Sequence, residues 1–473
     1  MPRFLVTTTA LFGLLAGCAA PDLGPRPQVA AADSLASGAS LADAHGEWPV
    51  EGWWRAWGDA QLDTLIAEGL AGSPDLAAAA ARVRAADALA RQAGAALLPR
   101  LGAEGSAGGV KQSRTMGIPP QFVPDGIQDT GHVAATLSFD LDLWGRNRAA
   151  LAAATSEAEA ARVDAAQARL MLTTGIAAAY ADLAAHHEAL DVAREALRVR
   201  TASAALSADR ARAGLDNQAS ARQAESRAAS ARGDIAAIEE AIALTRHRLA
   251  ALVGAGPDRG MSIARPTLAA PATGLPADAG IALVGRRPDI VAARLRAEAA
   301  AKRIDVARAD YYPNISLSAL VGFQSLGLAN LFDAGSKYGN GGAAISLPIF
   351  DGGRIEGRYR GARADYDAAV AGYDRTLIDA LRDIADLAAS RTATERQLAE
   401  RRAALQAAAD AARLAGLRYR AGLSNQLAQL TAEDDMVALS RAVADLEARE
   451  RALDVALIRA LGGGYRAVHP TGE

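Results

Sequence analysis

The chain has 473 residues, half of them apolar but only 4% aromatic, with a net charge of −3 and a pI of about 6.1. That composition excludes one large aromatic-rich core, and it offers no basic surplus for a nucleic-acid partner. A single cysteine excludes an intrachain disulfide.

The chain opens MPRFLVTTTALFGLLAGC. Arg3 precedes a short apolar run, and small residues Ala16 and Gly17 precede Cys18. The run is too short for a mature membrane helix. It reads as a bacterial lipoprotein signal over residues 1–17, with Cys18 lipidated as the first mature residue and Ala19 directing it to the outer membrane. An ordinary secretory signal is the alternative. Residues 18–50, rich in Pro, Ala and Gly, read as an extended tether. Trp48, Trp53, Trp54 and Trp57 then cluster, to form either a small local core or an anchor on a neighbouring surface.

From here the chain says most things twice. SPDLAAAAARVRAADALARQAGAALLP runs to Pro99 and RPDIVAARLRAEAAAKRIDVARADYYP to Pro313, an offset of 214; from Ser138 and Ser346 onward the offset is 208. One indel in a loop between Pro99 and Ser138 accounts for the difference. The two repeats are placed at 51–256 and 286–464, joined by a Pro-rich crossover at 257–285, with a tail at 465–473. Each repeat orders helix, two strands, long helix, turn, helix. Proline and an early acid open the first helix of each, at Pro74-Asp75 and Pro288-Asp289.

Period-two alternation predicts β-hairpins at about 100–141 and 314–350. LGAEGSAGGV is the weakest strand. HVAATLSFD puts Val133, Ala135, Leu137 and Phe139 on one face; NISLSALVGF puts Ile315, Leu317, Ala319, Val321 and Phe323 on one face; GAAISLPI does the same with Ala343, Ile345, Leu347 and Ile349. Strands of this length suit a tilted bilayer crossing as well as a half-exposed soluble sheet. If they cross lipid, four strands cannot close a barrel, and several chains must share one.

Helical hairpins are predicted at about 147–252 and 355–461, their first arms free of proline for roughly 65 residues, or about 100 Å. Leu183, Leu190 and Leu197 stand seven apart, and Leu398 and Leu405 repeat the last two. RARAGLDNQ and RYRAGLSNQ mark the two turns. Gly214 and Gly422 are read as left-handed helix stops, Leu215 and Leu423 as the apolar residues that follow, and Asp216 and Ser424 as caps of the next helix. Turning the chain explains the glycines but not the shared arginines Arg210, Arg212, Arg418 and Arg420, so a docking surface is equally open. No phosphate loop is present. His186-His187-Glu188 lacks the zinc-protease order and suits a helix surface or seam. No cofactor, metal or catalytic residue is expected.

The chain resembles the outer membrane factor (TolC-like) family, and within it the NodT-like lipoprotein branch that serves resistance-nodulation-division efflux pumps. The resemblance rests on Trp53-Trp54-x-x-Trp57-x-Asp59 with Leu62 and Leu65-Ile66; on Pro74-Asp75-Leu76; on Asp140-Leu141-Asp142-Leu143-Trp144-Gly145-Arg146; and on Arg287-Pro288-Asp289-Ile290. It rests further on Ser346-Leu347-Pro348-Ile349-Phe350-Asp351-Gly352-Gly353-Arg354, on Arg-x-Arg-Ala-Gly-Leu twice, and on Ala460-Leu461-Gly462-Gly463-Gly464. It implies a mostly α chain with a small membrane β part, assembling as a homotrimer with a 12-stranded outer-membrane β-barrel and an α-barrel below it. It implies passive export of small toxic compounds, with a periplasmic membrane-fusion adaptor and an inner-membrane pump as partners and outer membrane lipid as surroundings. The adaptor would meet the tips at Arg212, Gly214, Leu215, Arg420, Gly422 and Leu423. Relatives narrow the entrance with a leucine and, one turn later, an aspartate. Leu427 fits the leucine, Thr431 stands at the aspartate's position, and Asp434 and Asp435 one turn on are the acidic candidates for the gate. A duct for secreted polypeptide and a non-conducting scaffold lipoprotein are the alternatives.

Overall fold

The computed structural model describes residues 20–41, 46–115, 117–269 and 274–467. Cys18 and the signal segment lie outside them, as does most of the tail. The α-helices longer than four residues are α1 (Ala60–Gly72), α2 (Pro74–Ala95), α3 (Arg146–Arg212), α4 (Gln218–Leu252), α5 (Ala279–Arg286), α6 (Pro288–Ala309), α7 (Arg354–Arg420) and α8 (Gln426–Ala460). The strands are β1 (Arg100–Val110), β2 (Gln128–Asp140), β3 (Asn314–Leu326) and β4 (Lys337–Ser346). The duplication is carried through to element length. α2 and α6 each have 22 residues, α3 and α7 each 67, and α4 and α8 each 35.

The chain divides into two compact units. The first holds Arg82–Ala161, Ala293–Tyr373 and the N-terminal segment up to Val29. Its centre is one antiparallel sheet in the order β1-β2-β3-β4. Both predicted hairpins are present, with one correction. β4 begins earlier than the alternation suggested and stops at Ser346, leaving Leu347 and Ile349 outside it. Pro348 has no N–H to donate to a ladder, which ends the strand there.

Two carboxylates turn the sheet into the long helices. Asp142, the one non-glycine residue with positive φ among the described residues, accepts from the N–H groups of Asn147 (2.8 Å) and Arg148 (3.0 Å) at the start of α3. Asp351 does the same for Ile355 (2.8 Å) at the start of α7, across Gly352 and Gly353, both at positive φ. Both satisfy amides that the first helical turn leaves without partners. Trp144 stacks on Tyr312 with centroids 4.7 Å apart and donates its indole N–H to the Pro313 carbonyl (2.8 Å). The N-terminal segment is strapped down here rather than free. Arg363 of α7 donates to the carbonyls of Gly24 (3.1 Å) and Pro25, Tyr366 donates to that of Pro27 (2.8 Å), and Arg26 pairs with Asp305 (3.4 Å).

The second unit holds Ala30–Ala81, Arg162–Ala292 and the chain from Asp374 onward. Its core gathers Trp53, Trp54 and Trp57 with Leu62, Leu65 and Ile66 of α1 and Ile176, Tyr180 and Leu183 of α3. Three of the four clustered tryptophans therefore form a local core, while Trp48 lies outside it and donates its indole N–H to Asp278 (2.7 Å). The three rings meet edge to face, 5.7 and 6.3 Å apart, an arrangement aromatic quadrupoles favour. Asp59 caps α1 from inside this core. It accepts from Gln61 N–H (2.9 Å), Thr267 N–H (2.8 Å) and Tyr180 O–H (2.8 Å). Burial alone would raise its carboxyl, but these donors, together with the Thr267 hydroxyl (3.2 Å), outweigh it and hold the carboxyl below its ordinary value.

The repeats reuse individual contacts. Arg194 of α3 pairs with Glu239 of α4 at 3.5 Å, and Arg402 of α7 pairs with Glu447 of α8 at 2.7 Å, each partner offset by 208. Gly254 and Gly462, again 208 apart, both stop a helix at positive φ. Gly254 lies against the Gly72 carbonyl that ends α1, and Gly462 against the Arg286 carbonyl that ends α5. Only glycine gives both the left-handed turn and the missing Cβ that this approach needs. Asp454 of α8 is buried beside Arg391 of α7 (3.4 Å), while Arg391 also pairs with Glu395 (3.0 Å). Burial pushes the Asp454 carboxyl up to about 6, against the pull of Arg391 and with the help of Glu450 and Glu395.

Two outcomes are expected. Gly462→Ala puts a methyl into the Arg286 carbonyl and should lower stability by about 2 kcal/mol or more, read as a drop in the thermal midpoint of detergent-solubilised protein. Asp454→Asn should act in the opposite direction. An acid whose folded-state pKa is raised above its unfolded value stabilises at low pH, and that contribution is lost as pH rises through about 6. The amide should therefore raise the midpoint at pH 7.5 by up to about 3 kcal/mol of stability and leave it nearly unchanged at pH 4.

Candidate functional site

The sheet has two chemically different faces, and register assigns every residue to one of them. The odd-numbered face carries Leu101, Val133, Leu137, Leu317, Val321 and Ile345, and all six side chains are exposed. Exposed apolar residues scattered singly are normal on a protein surface, but six on one contiguous face mark a surface meant for an apolar medium. The even-numbered face carries Glu104, Ser106, His132, Thr136, Ser138, Ser316, Ser318, Gln324 and Asn340. β1 and β4 each keep one edge without a strand partner among the described residues. No described helix is long and apolar enough to cross a membrane.

The helical tips lie in the second unit. Gly214 and Gly422 adopt φ of 68° and 72°, as read from the sequence. Leu215 N–H returns to the Arg210 carbonyl (2.9 Å) and Gly214 N–H to that of Ala211 (3.2 Å), so the stop is a Schellman turn; Leu423 N–H repeats the first bond to Arg418 at 2.8 Å. The cap assignment is corrected. Asn217 and Asn425, not Asp216 and Ser424, cap α4 and α8, accepting from Ser220 N–H (2.8 Å) and Ala428 N–H (3.0 Å). Asp216 instead receives the N–H of its neighbour Asn217. Arg212, Gly214, Leu215, Arg420, Gly422 and Leu423 are all exposed. Arg210 lies over the Tyr419 ring, 5.9 Å from its centroid, and so links one tip to the other.

The gate candidates separate. Leu427, Thr431 and Asp435 recur every four residues on one exposed stripe of α8. Asp435 forms no ion pair among the described residues. Asp434 points elsewhere. Its carboxylate bridges Arg227 of α4 (3.0 Å) and Arg200 of α3 (3.4 Å). Two cations neutralise it, so it is a clasp between the hairpins rather than a free acid on the stripe. Gln426, buried, completes the clasp by donating to the Ser203 carbonyl (3.2 Å) and Ser207 hydroxyl (3.0 Å) of α3. Arg200, Arg227, Ser203 and Gln426 carry no local sequence signal of this role, since their partners lie more than 200 residues away along the chain. Glu188 of the histidine cluster pairs with Arg451 of α8, a seam position. His187 is driven below its ordinary pKa by burial and by Arg246 and Arg265.

A four-stranded sheet with one exposed apolar face and one polar face suits a wall segment of an outer-membrane channel, and the long helical hairpins end in exposed tips. The comparisons agree. The model of the outer membrane efflux protein family matches residues 65–255 and 282–463, and the chain belongs to that family. The chain is 39% identical to the fusaric acid resistance protein FusA of Burkholderia cepacia over 74% of this chain and 67% of that one. It is 31% identical to the multidrug resistance outer membrane protein MdtP of Escherichia coli K12 over 96% and 95%. Among solved structures, the outer membrane protein VceC of Vibrio cholerae superposes with a TM-score of 0.83 at 43% identity, over 88% of this chain and all of that one. The outer-membrane channel OprN superposes with a TM-score of 0.84 at 28% identity, over 94% and 99%. The protein is an outer-membrane efflux channel component, and the TolC-like fold expected from the sequence is the fold it has.

Releasing the clasp tests its role. Asp434→Ala leaves Arg200 and Arg227 facing each other without their counter-ion, and Arg200→Glu sets two acids side by side. Both should raise the frequency of open-channel currents in planar bilayers over the unsubstituted protein, Arg200→Glu the more strongly, with little change in the amount of assembled protein.

Proposed function

We propose that three copies of this chain form the outer-membrane duct of a tripartite efflux pump. The observation that carries this reading is the open four-stranded sheet with one exposed apolar face. Backbone groups at the free edges of β1 and β4 cost several kcal/mol each if left without partners in lipid. Pairing β4 of one copy with β1 of the next removes every edge, and three copies give twelve strands with the polar faces inward.

Residues 1–17 direct export and Cys18 takes the lipid. The strap of Gly24, Pro25 and Pro27 on α7 supports this, because it keeps the chain near the base of the sheet. Residues 51–256 and 286–464 are the two efflux repeats, joined by 257–285. The exposed tips at Arg212, Gly214, Leu215, Arg420, Gly422 and Leu423 receive the periplasmic adaptor, which links the duct to an inner-membrane pump. Leu427 and Asp435 line the closed entrance, and opening parts the hairpins after Asp434 leaves its arginines. Conduction is passive, since energy enters at the pump. Small organic compounds are the cargo, a reading supported by relatives named for fusaric acid resistance, multidrug resistance and pyoverdine export.

Deleting the gene should raise cellular accumulation of a broad panel of dyes and antibiotics several-fold, and a plasmid copy should restore it. Unchanged accumulation together with loss of a secreted polypeptide would replace this reading with protein export.

A further inference from the structure

On the polar face of the sheet one carboxylate and one imidazole stand between the strand ends, and they touch. His132 of β2 lies directly across from Ser106 of β1, and its Nδ1 is 2.8 Å from the Ser106 hydroxyl. Its Nε2 is 3.7 Å from a carboxylate oxygen of Glu104, two residues along β1 on the same face. From β3 the residue opposite His132 is Gln324, flanked on that face by Gly322 and Leu326. No charged group reaches His132 from that side. The other charged residues on the face, Arg100 and Asp140, sit at the ends of their strands. Arg100 is four residues from Glu104, or about 13 Å, beyond a Debye length of about 8 Å.

We propose that Glu104 and His132 are the charge-selecting pair of the conduit through the outer membrane, favouring cationic over anionic solutes when the imidazole is neutral and losing that bias when it is protonated. The proposal rests on the transmembrane reading of the sheet. Three copies would set three such pairs at one level, with a charge of −1 from each at neutral imidazole and zero once a proton enters each ring. Histidine is the side chain whose charge changes between about pH 5 and 8. The Ser106 hydroxyl holds the ring by Nδ1 and leaves Nε2 turned to the carboxylate. Protonation then adds a cation 3.7 Å from Glu104 and cancels the field it sends into the lumen. Fields of this kind raise the local concentration of the opposite charge in a confined aqueous path.

The chain has no cysteine besides Cys18, so a single introduced thiol can report the local potential. Gln324→Cys faces the pair, whereas Val321→Cys on the same strand occupies the apolar face. Outer membranes carrying each variant are labelled with a cationic and an anionic methanethiosulfonate reagent, and the ratio of rates cancels the thiol's own ionisation. For Gln324→Cys the cationic reagent should react roughly fivefold faster at pH 7.5, as expected for a confined acidic field, and the ratio should fall towards one as acid protonates the ring. Glu104→Gln should abolish the cationic preference at pH 7.5 and turn it towards the anionic reagent once the ring is protonated, and His132→Gln should retain the cationic preference as the pH is lowered. A ratio that ignores pH and Glu104→Gln overturns the proposal while leaving the transmembrane reading intact. Equally fast labelling of Val321→Cys overturns the transmembrane reading itself. Thr136→Cys, on the polar face of β2, replaces Gln324→Cys if that variant fails to assemble.

Discussion

Every backbone amide and carbonyl in a hydrocarbon layer needs a partner, and no single copy of this chain can supply them all. Its four strands satisfy one another internally, but among the described residues β1 and β4 each present an unpaired row. Water would answer those groups on a soluble protein. Here the odd-numbered side chains Leu101, Val133, Leu137, Leu317, Val321 and Ile345 commit the sheet to an apolar medium on one side. The sheet is thus incomplete by itself in a way the helical elements are not. The helices close their own hydrogen bonds, and their caps at Asp142, Asp351, Asn217 and Asn425 resolve the ends. Association between copies is a requirement of the strands, and the helices accompany them.

The duplication gives two hairpins of equal length, yet their tips are not equivalent. Gln218 and Gln426 hold the same place in the repeated phrase, but Gln218 is exposed and Gln426 is buried on α3. The difference lies in the receiving surface. Ser203 and Ser207 accept Gln426, and the residues 208 further on are Ala411 and Ala415, which offer no hydroxyl. Arg200 corresponds to Ala408 in the same way. The copies have therefore diverged on the receiving side: α3 offers Ser203, Ser207 and Arg200 to α8, and α7 carries alanine at all three equivalent places.

Much of this was legible in the sequence because it rests on local rules. Period-two alternation locates the strands, the twin phrases locate the turns, and the offsets of 214 and 208 define the duplication. Failures occurred where a nearby rule competed with a distant one. Alternation continues through Leu347 and Ile349, but Pro348 cannot take part in a ladder. Two cap-forming residues stand side by side in Asp216-Asn217 and Ser424-Asn425, and the choice is made by which side chain reaches back over the first turn. Asp434 and Asp435 look alike in sequence, and one residue is about 100° around the helix, enough to turn one to the arginines and leave the other in solvent. The clasp, the Asp59 network and the Glu104–His132 pair join residues that only tertiary structure brings together.

The strap on α7 also limits where the molecule can sit. Gly24 stands six positions beyond Cys18, and an extended chain of that length reaches about 20 Å. An acyl group on Cys18 would then enter the bilayer close beside the strands, never at the end of a long leash. Arg363 and Tyr366 hold the other end of that span at a fixed height on the helix. On the proposed lipidation of Cys18, the acyl group would therefore act as a depth gauge, setting the level at which the strands meet the leaflet.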